Sequence, residues 1–355
     1  MIKYLWVLTI LVLLIVSPSF GAVLFSDNFD SWTDWASPVQ TTGETNCPSD
    51  SNQNSTECAL GGGWTGWRNG DCQCTPSMTG WPGNRLEYIN QYAGYPNETN
   101  TCYGGSGKCY THWMESCTGA DDSDGQLTKY LGDGNEYEEV YMQFQIRFKS
   151  GCELETLVGD DSIVHKLQHI QHYVDGNPHT YFGGNMGNLP VISCGLGQWS
   201  TSVYFYCETR CYTDYYCNAI QRWTIGTTTT VYNAGNLLDT NWHRVEWRFR
   251  RNSAIGVDDG LIQMWMDAVQ LTCSSDNCTT LGMNDTGTPE LRGFRWLNIG
   301  GNNNNYYEQA SSNIADREQW YAIDNVCVST SYIGTGACTA GAAPATPTGI
   351  TIIYD

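Results

Sequence analysis

Hydrophobic and polar residues alternate along several short segments of this chain. The clearest segment is 140–148, in which every second residue is apolar: Val140, Met142, Phe144, Ile146 and Phe148. A period of two predicts a β-strand with one buried face and one exposed face. Residues 242–250 repeat the pattern. After a turn at 258–260, the alternation of residues 261–267 completes a predicted antiparallel hairpin.

Further segments have the composition of strands and are separated by loops rich in Gly, Asn, Asp and Thr: 24–29, 85–89, 163–173, 202–207, 295–299 and 320–329. No segment has the spacing of a long amphipathic helix. The pattern therefore predicts an all-β protein built from antiparallel sheets.

The two ends of the chain differ from its middle. Residues 1–21 contain a lysine, an unbroken apolar run and then small residues, which is the order of a secretory signal peptide. Residues 22–338 predict a single β-sandwich domain, with Gly- and Cys-rich insertions at about 42–82 and 102–117. Residues 339–355 are rich in Pro, Ala and Thr and predict a tail or linker. We expect a secreted protein without a membrane span once the signal is removed.

The first insertion contains three tryptophans, Trp64, Trp67 and Trp81. Exposed tryptophans in a loop can bind ligands. In a loop with few aliphatic residues they more often form a buried aromatic cluster, and this is the interpretation we favour.

The cysteine content supports secretion. The chain has 16 cysteines, an even number, and disulfides persist in oxidising compartments. Pairs such as Cys72 with Cys74 and Cys207 with Cys211 lack the Cys-x2-Cys framework of a zinc site. We therefore predict disulfide-braced loops. Four Asn-x-Ser/Thr sequons would carry glycans in a host that glycosylates secreted proteins: Asn54, Asn97, Asn277 and Asn284.

The charge balance excludes one class of partner. The chain has 37 acidic and 17 basic residues, and its net charge is −20. Nucleic-acid binding depends on clustered Lys and Arg, so we do not expect it. The same charge repels polyanionic sugars at long range, although the field in a local cleft can oppose the net charge. The sequence does not predict an oligomeric state.

Several motifs, taken in chain order, resemble the jelly-roll polysaccharide lyases, especially the alginate and glucuronan lyase families. They are Asn84-Arg85-Leu86-Glu87, His165-Lys166-Leu167-Gln168-His169-Ile170, Tyr204-Phe205-Tyr206, Asn241-Trp242-His243-Arg244-Val245, Gly300-Gly301 and Ala322-Ile323-Asp324-Asn325-Val326. The resemblance implies a concanavalin A-like jelly-roll β-sandwich of two antiparallel sheets. It also implies a glycan partner and possible lyase activity.

In those lyases an Arg-x-Glu strand, a Lys-Leu-x-x-Ile/Leu strand and a Tyr-x-Tyr strand line the concave face that holds the sugar. The resemblance therefore implies that Arg85 and Glu87 bind substrate and that Lys166 is catalytic. The lyase pattern has Pro-Gly where this chain has Gln168 and His169.

β-Elimination of a uronate polymer requires neutralisation of the C6 carboxylate, a base for the C5 proton and an acid for the departing O4. On the resemblance, Tyr204 and Tyr206 are the acid and base candidates. A nearby cation must lower the pKa of such a tyrosine, because an unperturbed phenol is a weak base at neutral pH. The alternative is that both tyrosines only fill the sheet surface.

The segment around Lys166 is polar on both faces. A regular strand puts Lys166, Gln168 and His172 on one face and His165, His169 and Gln171 on the other. Only one set can face a cleft unless a bulge intervenes. The resemblance selects Lys166, which brings Gln168 and His172 with it as substrate-binding candidates and leaves His169 turned inward or held by structure.

Two metal sites are conceivable. Asp27 and Asp30 near the first strand meet Asp324 if the terminal strands pair, and three carboxylates suit calcium. Four of the six histidines fall within residues 165–179, but strand spacing supplies only pairs and no third zinc ligand is identified.

Three other functions compete with lyase activity. A glycoside hydrolase ranks lower, because the Glu-x-Asp-x-x-Glu strand of the retaining glucanases of this fold is missing. A non-catalytic glycan-binding or adhesion module and a purely structural extracellular protein fit the same fold.

Overall fold

The computed structural model describes residues 21–36, 60–64, 66–69, 87–91, 102–113, 123–131, 137–150, 165–174, 191–199, 202–210, 221–225, 237–251, 253, 257, 259–271, 291–303, 320–336 and 338. The predicted signal peptide, the predicted tail, the sequons and most of the first insertion lie outside these residues.

The described residues form strands and two short 3-10 turns, with no α-helix. In chain order the strands are β1 (Val23–Asp27), β2 (Trp35–Ala36), β3 (Gly66–Asn69), β4 (Glu87–Asn90), β5 (Cys109–Trp113), β6 (Ser123–Tyr130), β7 (Glu139–Phe148), β8 (His165–Val174), β9 (Val191–Trp199), β10 (Ser202–Arg210), β11 (Gln221–Ile225), β12 (His243–Arg250), β13 (Leu261–Met266), β14 (Val269–Leu271), β15 (Leu291–Asn303) and β16 (Trp320–Ser329).

The strands form two antiparallel sheets. The first sheet has nine strands in the order β14-β13-β12-β7-β16-β5-β4-β2, and β1 also pairs with β16. The second sheet has seven strands in the order β11-β10-β9-β8-β15-β6-β3. Strands distant in sequence are neighbours in space, as in a jelly roll. The chain is therefore an all-β, concanavalin A-like jelly-roll sandwich, as predicted.

The core lies between the two sheets and consists of the apolar faces that the alternation predicts. Phe144 on β7 and Trp247 on β12 are fully buried in the nine-stranded sheet, with ring centroids 5.3 Å apart. Phe205 on β10 meets Trp247 from the opposite sheet at 6.2 Å, edge to face. Burying each large side chain contributes about 1.5–3 kcal/mol. These contacts hold the inner faces together and leave the outer faces for function.

The structure also contains strands that the sequence pattern did not predict. Residues 109–113, expected within the second insertion, form β5 and pair with both β16 and β4. The strand is short, and its core face carries Tyr110 and His112 rather than aliphatic residues. Strand β9 has Gly195 and Gly197 on one face, so its alternation is incomplete in the sequence.

Disulfides brace the described part of the sandwich. Cys102 pairs with Cys109 across a surface loop, and Cys194 pairs with Cys207 between β9 and β10. A third bond ties β16 to the segment after it through Cys327 and Cys338. Such bonds are typical of extracellular proteins. Among the described residues, no helix has the length and hydrophobicity needed to cross a membrane.

Trp64 of the first insertion is part of the core. It is 2 % exposed, its ring lies 6.2 Å from that of Phe29 in a stacked arrangement, and its indole N–H donates to Asp27 at 2.7 Å. The buried-cluster interpretation is therefore correct for Trp64. The side chain of Trp67 and all of Trp81 lie outside the described residues.

Candidate functional site

A β-bulge in β8 determines which of its side chains face outwards. Lys166 pairs with Gly195, and Gln168 pairs with the next residue of β9, Cys194, so Leu167 is an extra residue. A bulge sets two residues against one and shifts the alternation by one position. The two faces of β8 therefore do not follow regular strand spacing.

The bulge brings Lys166 and His169 to the same outer face of the seven-stranded sheet. Leu167 and Ile170 both belong to the core between the sheets. A Cβ atom added to Gly301 would lie 2.7 Å from Cβ of Lys166 and 2.8 Å from Nε2 of His169. Lys166 and His169 therefore flank the same glycine, which adopts a φ of +148°.

Gln168 is not grouped with Lys166 in this structure. Gln168 pairs with Ile299 and His172 pairs with Phe294, and both partners are core residues. Directly paired residues share a face of the sheet, so the register assigns Gln168 to the core side. The side chain of His172 lies outside the described residues. The expected grouping assumed regular alternation, which the bulge interrupts.

The side chain of Gln168 is unusual for its position. It is 1 % exposed, and among the described residues neither its Nε2 nor its Oε1 has a hydrogen-bond partner. A buried amide without partners destabilises the folded state.

A buried polar network crosses the outer face of the seven-stranded sheet. The Nδ1 atom of His169 lies 2.8 Å from the hydroxyl of Ser193. Asn298 donates from Nδ2 to Gln126 Oε1 at 2.7 Å and to Thr128 Oγ1 at 3.3 Å. These side chains are at most 4 % exposed. The network is therefore a buried polar layer on this face of the sheet.

The tyrosines of the Tyr-x-Tyr motif lie on a strand of the same sheet. Tyr206 pairs with Gly195, which on its other side pairs with Lys166. Tyr204 pairs with Gly197 one step along. The backbone register therefore puts Tyr206, Gly195 and Lys166 in one row across three strands. The side chains of both tyrosines are outside the described part of the structure.

The described end of the Arg-x-Glu motif lies in the nine-stranded sheet and not in the sheet of Lys166. Glu87 begins β4 in the nine-stranded sheet and pairs with the core residue His112. The described residues thus do not bring Glu87 to the face of Lys166. Arg85 and the side chain of Glu87 lie outside the described residues.

An aromatic and cationic cluster continues the outer face beyond the polar network. The rings of Tyr130 and Trp296 stack with centroids 4.3 Å apart. Arg295 donates to the Tyr130 hydroxyl at 3.2 Å, and its guanidinium lies 5.8 Å from the centroid of that ring. Arg295 is a bulge residue between the paired positions Phe294 and Trp296. The cluster adds a cation to the same face as Lys166.

Several residues of this face were not predicted as site residues, although the sequence contains partial signals for them. Asn298 is the outward residue between Leu297 and Ile299 in a predicted strand. Gly301 belongs to a motif that the sequence shares with the lyases. His169 was assigned inward because no residue type marks the bulge.

The predicted calcium ligands share one end of the other sheet. The expected pairing of the terminal strands is present, since Asp27 pairs with Val326 in the β1–β16 ladder. Asp27 Oδ1 accepts the backbone N–H of Phe29, and Oδ2 accepts the indole N–H groups of Trp32 and Trp64. Burial raises the pKa of Asp27 above its usual value despite these bonds.

Asp324 is also engaged by N–H donors. Its Oδ1 accepts from Asn325 at 2.7 Å and its Oδ2 from Tyr103 at 3.1 Å. Burial, reinforced by the charges of Asp30 and Asp27, raises the pKa of Asp324 to about 8. Within the described ranges no three His, Cys, Asp or Glu side chains form a group suited to a metal ion. Calcium at Asp27, Asp30 and Asp324 stays a prediction.

Comparison with known proteins gives a likeness of fold. No family model and no curated protein matches the sequence. Among solved structures, an endo-β-1,4-glucuronan lyase from the fungus Trichoderma reesei has 13% identity and a TM-score of 0.41, covering 78% of this chain and 100% of that chain. An alginate lyase from Chlorella virus has 11% identity and a TM-score of 0.36, covering 76% and 94%.

The likeness extends to hydrolases of the same architecture. The laminarinase catalytic domain from Thermotoga maritima has 11% identity and a TM-score of 0.39, covering 88% of this chain and 98% of that chain. The likeness is one of fold alone, and the assignment of the jelly-roll sandwich rests on the strand order of the two antiparallel sheets. One such sandwich supports many functions, so the activity must be argued from the site.

Proposed function

We propose that this chain is an extracellular polysaccharide lyase that binds a uronate-containing glycan on the outer face of its seven-stranded sheet. The observation that carries the proposal is the position of Lys166 and His169 beside Gly301, with Lys166 in register with Tyr206 across Gly195. The proposal combines the cation of Lys166, the imidazole of His169 and the phenol of Tyr206. β-Elimination uses groups of these types.

Glycines give the sugar room above the sheet. Gly195 lies between Lys166 and Tyr206 in the cross-strand row and has no side chain. Neighbouring strands are about 4.8 Å apart, so the backbones of Lys166 and Tyr206 are separated by roughly 10 Å. A lysine and a tyrosine at that separation can contact opposite sides of one sugar ring.

The cationic residues neutralise the substrate carboxylate in this proposal. Lys166 is 7 % exposed, and an ammonium group in an enclosed site interacts more strongly with an anion than it does in water. Its charge on the C6 carboxylate stabilises the enolate-like anion that forms when C5 loses its proton. His169, held at Nδ1 by Ser193, presents its other nitrogen towards the same region.

Tyr206 is the proposed proton carrier, and Tyr204 is the alternative on the same strand. As a phenolate it removes the C5 proton, and the resulting phenol protonates O4 as the C4–O4 bond breaks. The charge of Lys166 lowers the pKa of a nearby phenol and so favours the base form. The products are a new reducing end and a chain ending in a C4–C5 double bond.

The test is incubation of the purified chain with polyglucuronate, alginate and neutral β-glucans, followed by ultraviolet absorbance and mass spectrometry. A lyase product absorbs in the ultraviolet and is lighter by one water than the product of a hydrolase. We expect the unsaturated product from a uronate polymer. Tyr206→Phe should reduce its formation at least about a hundredfold, the usual size of an acid–base contribution.

The other outcomes point to the competing functions. Saturated fragments from a β-glucan would establish a hydrolase. Tight binding without cleavage of any polymer would establish a glycan-binding module. Either result contradicts the lyase proposal.

A further inference from the structure

A second recess opens on the outer face of the nine-stranded sheet, on the opposite side of the sandwich from Lys166. Its volume is about 530 Å³, which is within the range of roughly 300–1,000 Å³ that small-molecule sites occupy. Its walls come from β1, β7, β12, β16 and four loop segments, and they include Tyr103, Gln145, Arg244 and Asn325. The mechanism proposed above uses none of these residues.

The floor of this recess is a row of polar side chains. Gln145 pairs with Arg244 on one side and with Asp324 on the other, so the three residues form one outward row. In the part of the chain that the structure describes, the guanidinium of Arg244 and the amide of Gln145 make no hydrogen bond or ion pair. Converging donors without partners are typical of a binding site.

An aromatic side chain stands at the rim of the same recess. Tyr103 is 43% exposed, which makes it one of the few exposed large apolar residues in the described structure. Its backbone N–H is held by Asp324, and the Cys102–Cys109 disulfide closes its loop. Its ring also meets Trp242 edge to face at 6.1 Å. A fixed, exposed aromatic ring suits stacking against a sugar ring.

Arg244 is the cation of the recess lining, and its charge also interacts with the carboxylates of Glu246 and Asp267. Asp27 also lines the recess, but its two carboxylate oxygens are directed to three N–H donors. Glu246 lies on the neighbouring row and accepts N–H bonds from Gln143, Ile333 and Gly334. The guanidinium of Arg244 is therefore the charged group of the lining that is open to a ligand.

We infer that this recess is a second glycan site, which takes a carboxylated sugar unit through Arg244, with Gln145 and Asn325 bonding to its hydroxyls and Tyr103 stacking on its ring. Two sites on opposite faces would let one molecule hold a uronate polymer away from the position of cleavage. The inference shares its ligand class with the proposed function, but the binding does not require lyase activity.

The test is calorimetric titration of the full chain with an oligoglucuronate, in the Tyr206→Phe background so that the ligand stays intact. We expect two binding sites. Arg244→Met should weaken one of them at least about tenfold, because a charge-assisted hydrogen-bond pair is lost. Tyr103→Ala should weaken the same site, and because Tyr103 lies in a loop the substitution leaves the strands unchanged. The affinity for a neutral oligosaccharide of equal length should be the same for Arg244→Met and its parent.

Controls separate this inference from the proposed function. Arg250→Met changes an arginine on the same strand and face that bonds to the Asp259 carbonyl, and it should leave both sites intact. Lys166→Met should remove binding only at the site on the seven-stranded sheet. If the lyase proposal is wrong, Lys166→Met leaves the titration unchanged, whereas Arg244→Met still weakens binding at the recess. Unchanged titrations for both folded Arg244→Met and Tyr103→Ala would overturn the inference.

Discussion

Gln168 shows how one residue can be assigned to the wrong face of a strand. Its amide lies on the core side of β8 without a hydrogen-bond partner, although its sequence position suggested a place beside Lys166. The cost of such a group is about 1–3 kcal/mol.

Gln168→Met removes the buried amide and keeps the side-chain length. We expect the free energy of unfolding to rise by about 1 kcal/mol or more, measured by denaturant unfolding. Gln143→Met is the matched control, because the Gln143 amide donates to Glu246 and to the Gly334 carbonyl, and its loss should be destabilising. A drop in stability for Gln168→Met would contradict the assigned face.

Asp324 gives the fold a pH dependence. Its pKa in the folded state is about 8, above the ordinary value of 3.8, so between these values the folded state holds a proton that the unfolded chain has lost. The free energy of unfolding should therefore fall as pH rises from about 4 to about 8, by up to roughly 1.4 kcal/mol per pH unit.

Asp324→Asn should flatten this dependence when unfolding is compared at about pH 5 and about pH 8. Asp259→Asn is the control, because hydrogen bonds to Ser253 hold the pKa of Asp259 below its usual range and it does not titrate there. Equal slopes for Asp324→Asn and the parent chain would count against the buried, protonated carboxyl.

At the scale of single residues, the sequence predicted some of the site and missed its geometry. Lys166 and Tyr206 share a row of backbone pairing, and their catalytic roles stay predictions. His169, and not Gln168, shares the outer face with Lys166 because of the bulge in β8. No residue type in the sequence marks that bulge. Asn298 was hidden because a polar residue on an outward position looks like ordinary surface.

Among the elements, strands with strict alternation were predictable and those rich in glycine or cysteine were not. β16 occupies residues 320–329 as predicted, and β7 and β12 differ from prediction by one residue at one end. β5 and β9 were missed because their outer faces carry cysteine and glycine. Local hydrophobicity contains little information about strands that are stabilised mainly by their neighbours in the sheet.

The segment 330–338 returns across the outer face of the nine-stranded sheet, and we name it the strap. Glu246 accepts the backbone N–H groups of Ile333 and Gly334, and the Cys327–Cys338 bond closes the far end. Thr335, Gly336 and Cys338 also line the recess beside Arg244. The strap therefore couples stability to the shape of that recess.

Replacing Cys327 and Cys338 with alanine should release the strap. We expect faster hydrogen exchange at the Ile333 and Gly334 amides and a loss of about 2–3 kcal/mol of stability, measured by exchange mass spectrometry and denaturant unfolding. Removing the Cys102–Cys109 bond in the same way should leave the exchange of the strap unchanged. Unaltered exchange in the first variant would show that Glu246 alone holds the segment.

For the whole molecule, the fold class followed from alternation, motif order and the absence of helix patterns. The arrangement of strands in two sheets did not, because pairing between distant segments such as β7 and β16 leaves no local signal. The two outer faces of the sandwich differ in character: one has a lysine–histidine–glycine floor and the other has the recess beside Arg244. This division could be seen only after the register was known.

The net charge of −20 acts on the whole molecule. An acidic protein repels a uronate polymer at long range, and salt shortens the range of this repulsion to about 8–10 Å at physiological strength. The kcat/KM on a uronate polymer should therefore rise as salt is added from low ionic strength. The affinity for a neutral oligosaccharide should not rise with salt. A decrease of kcat/KM on the uronate polymer with added salt would contradict this prediction, because it would show that local cations attract the polymer.

The most direct test of the central claim compares Lys166 and Gln168, the residues of β8 on either side of the bulge. Unsaturated product should form from a uronate polymer with the wild-type chain and with Gln168→Met, whereas Lys166→Met should lose at least about a hundredfold in rate. This result would assign catalysis to the outer face of the seven-stranded sheet. Equal rates for Lys166→Met and wild type, or loss with Gln168→Met while the protein stays folded, would contradict it.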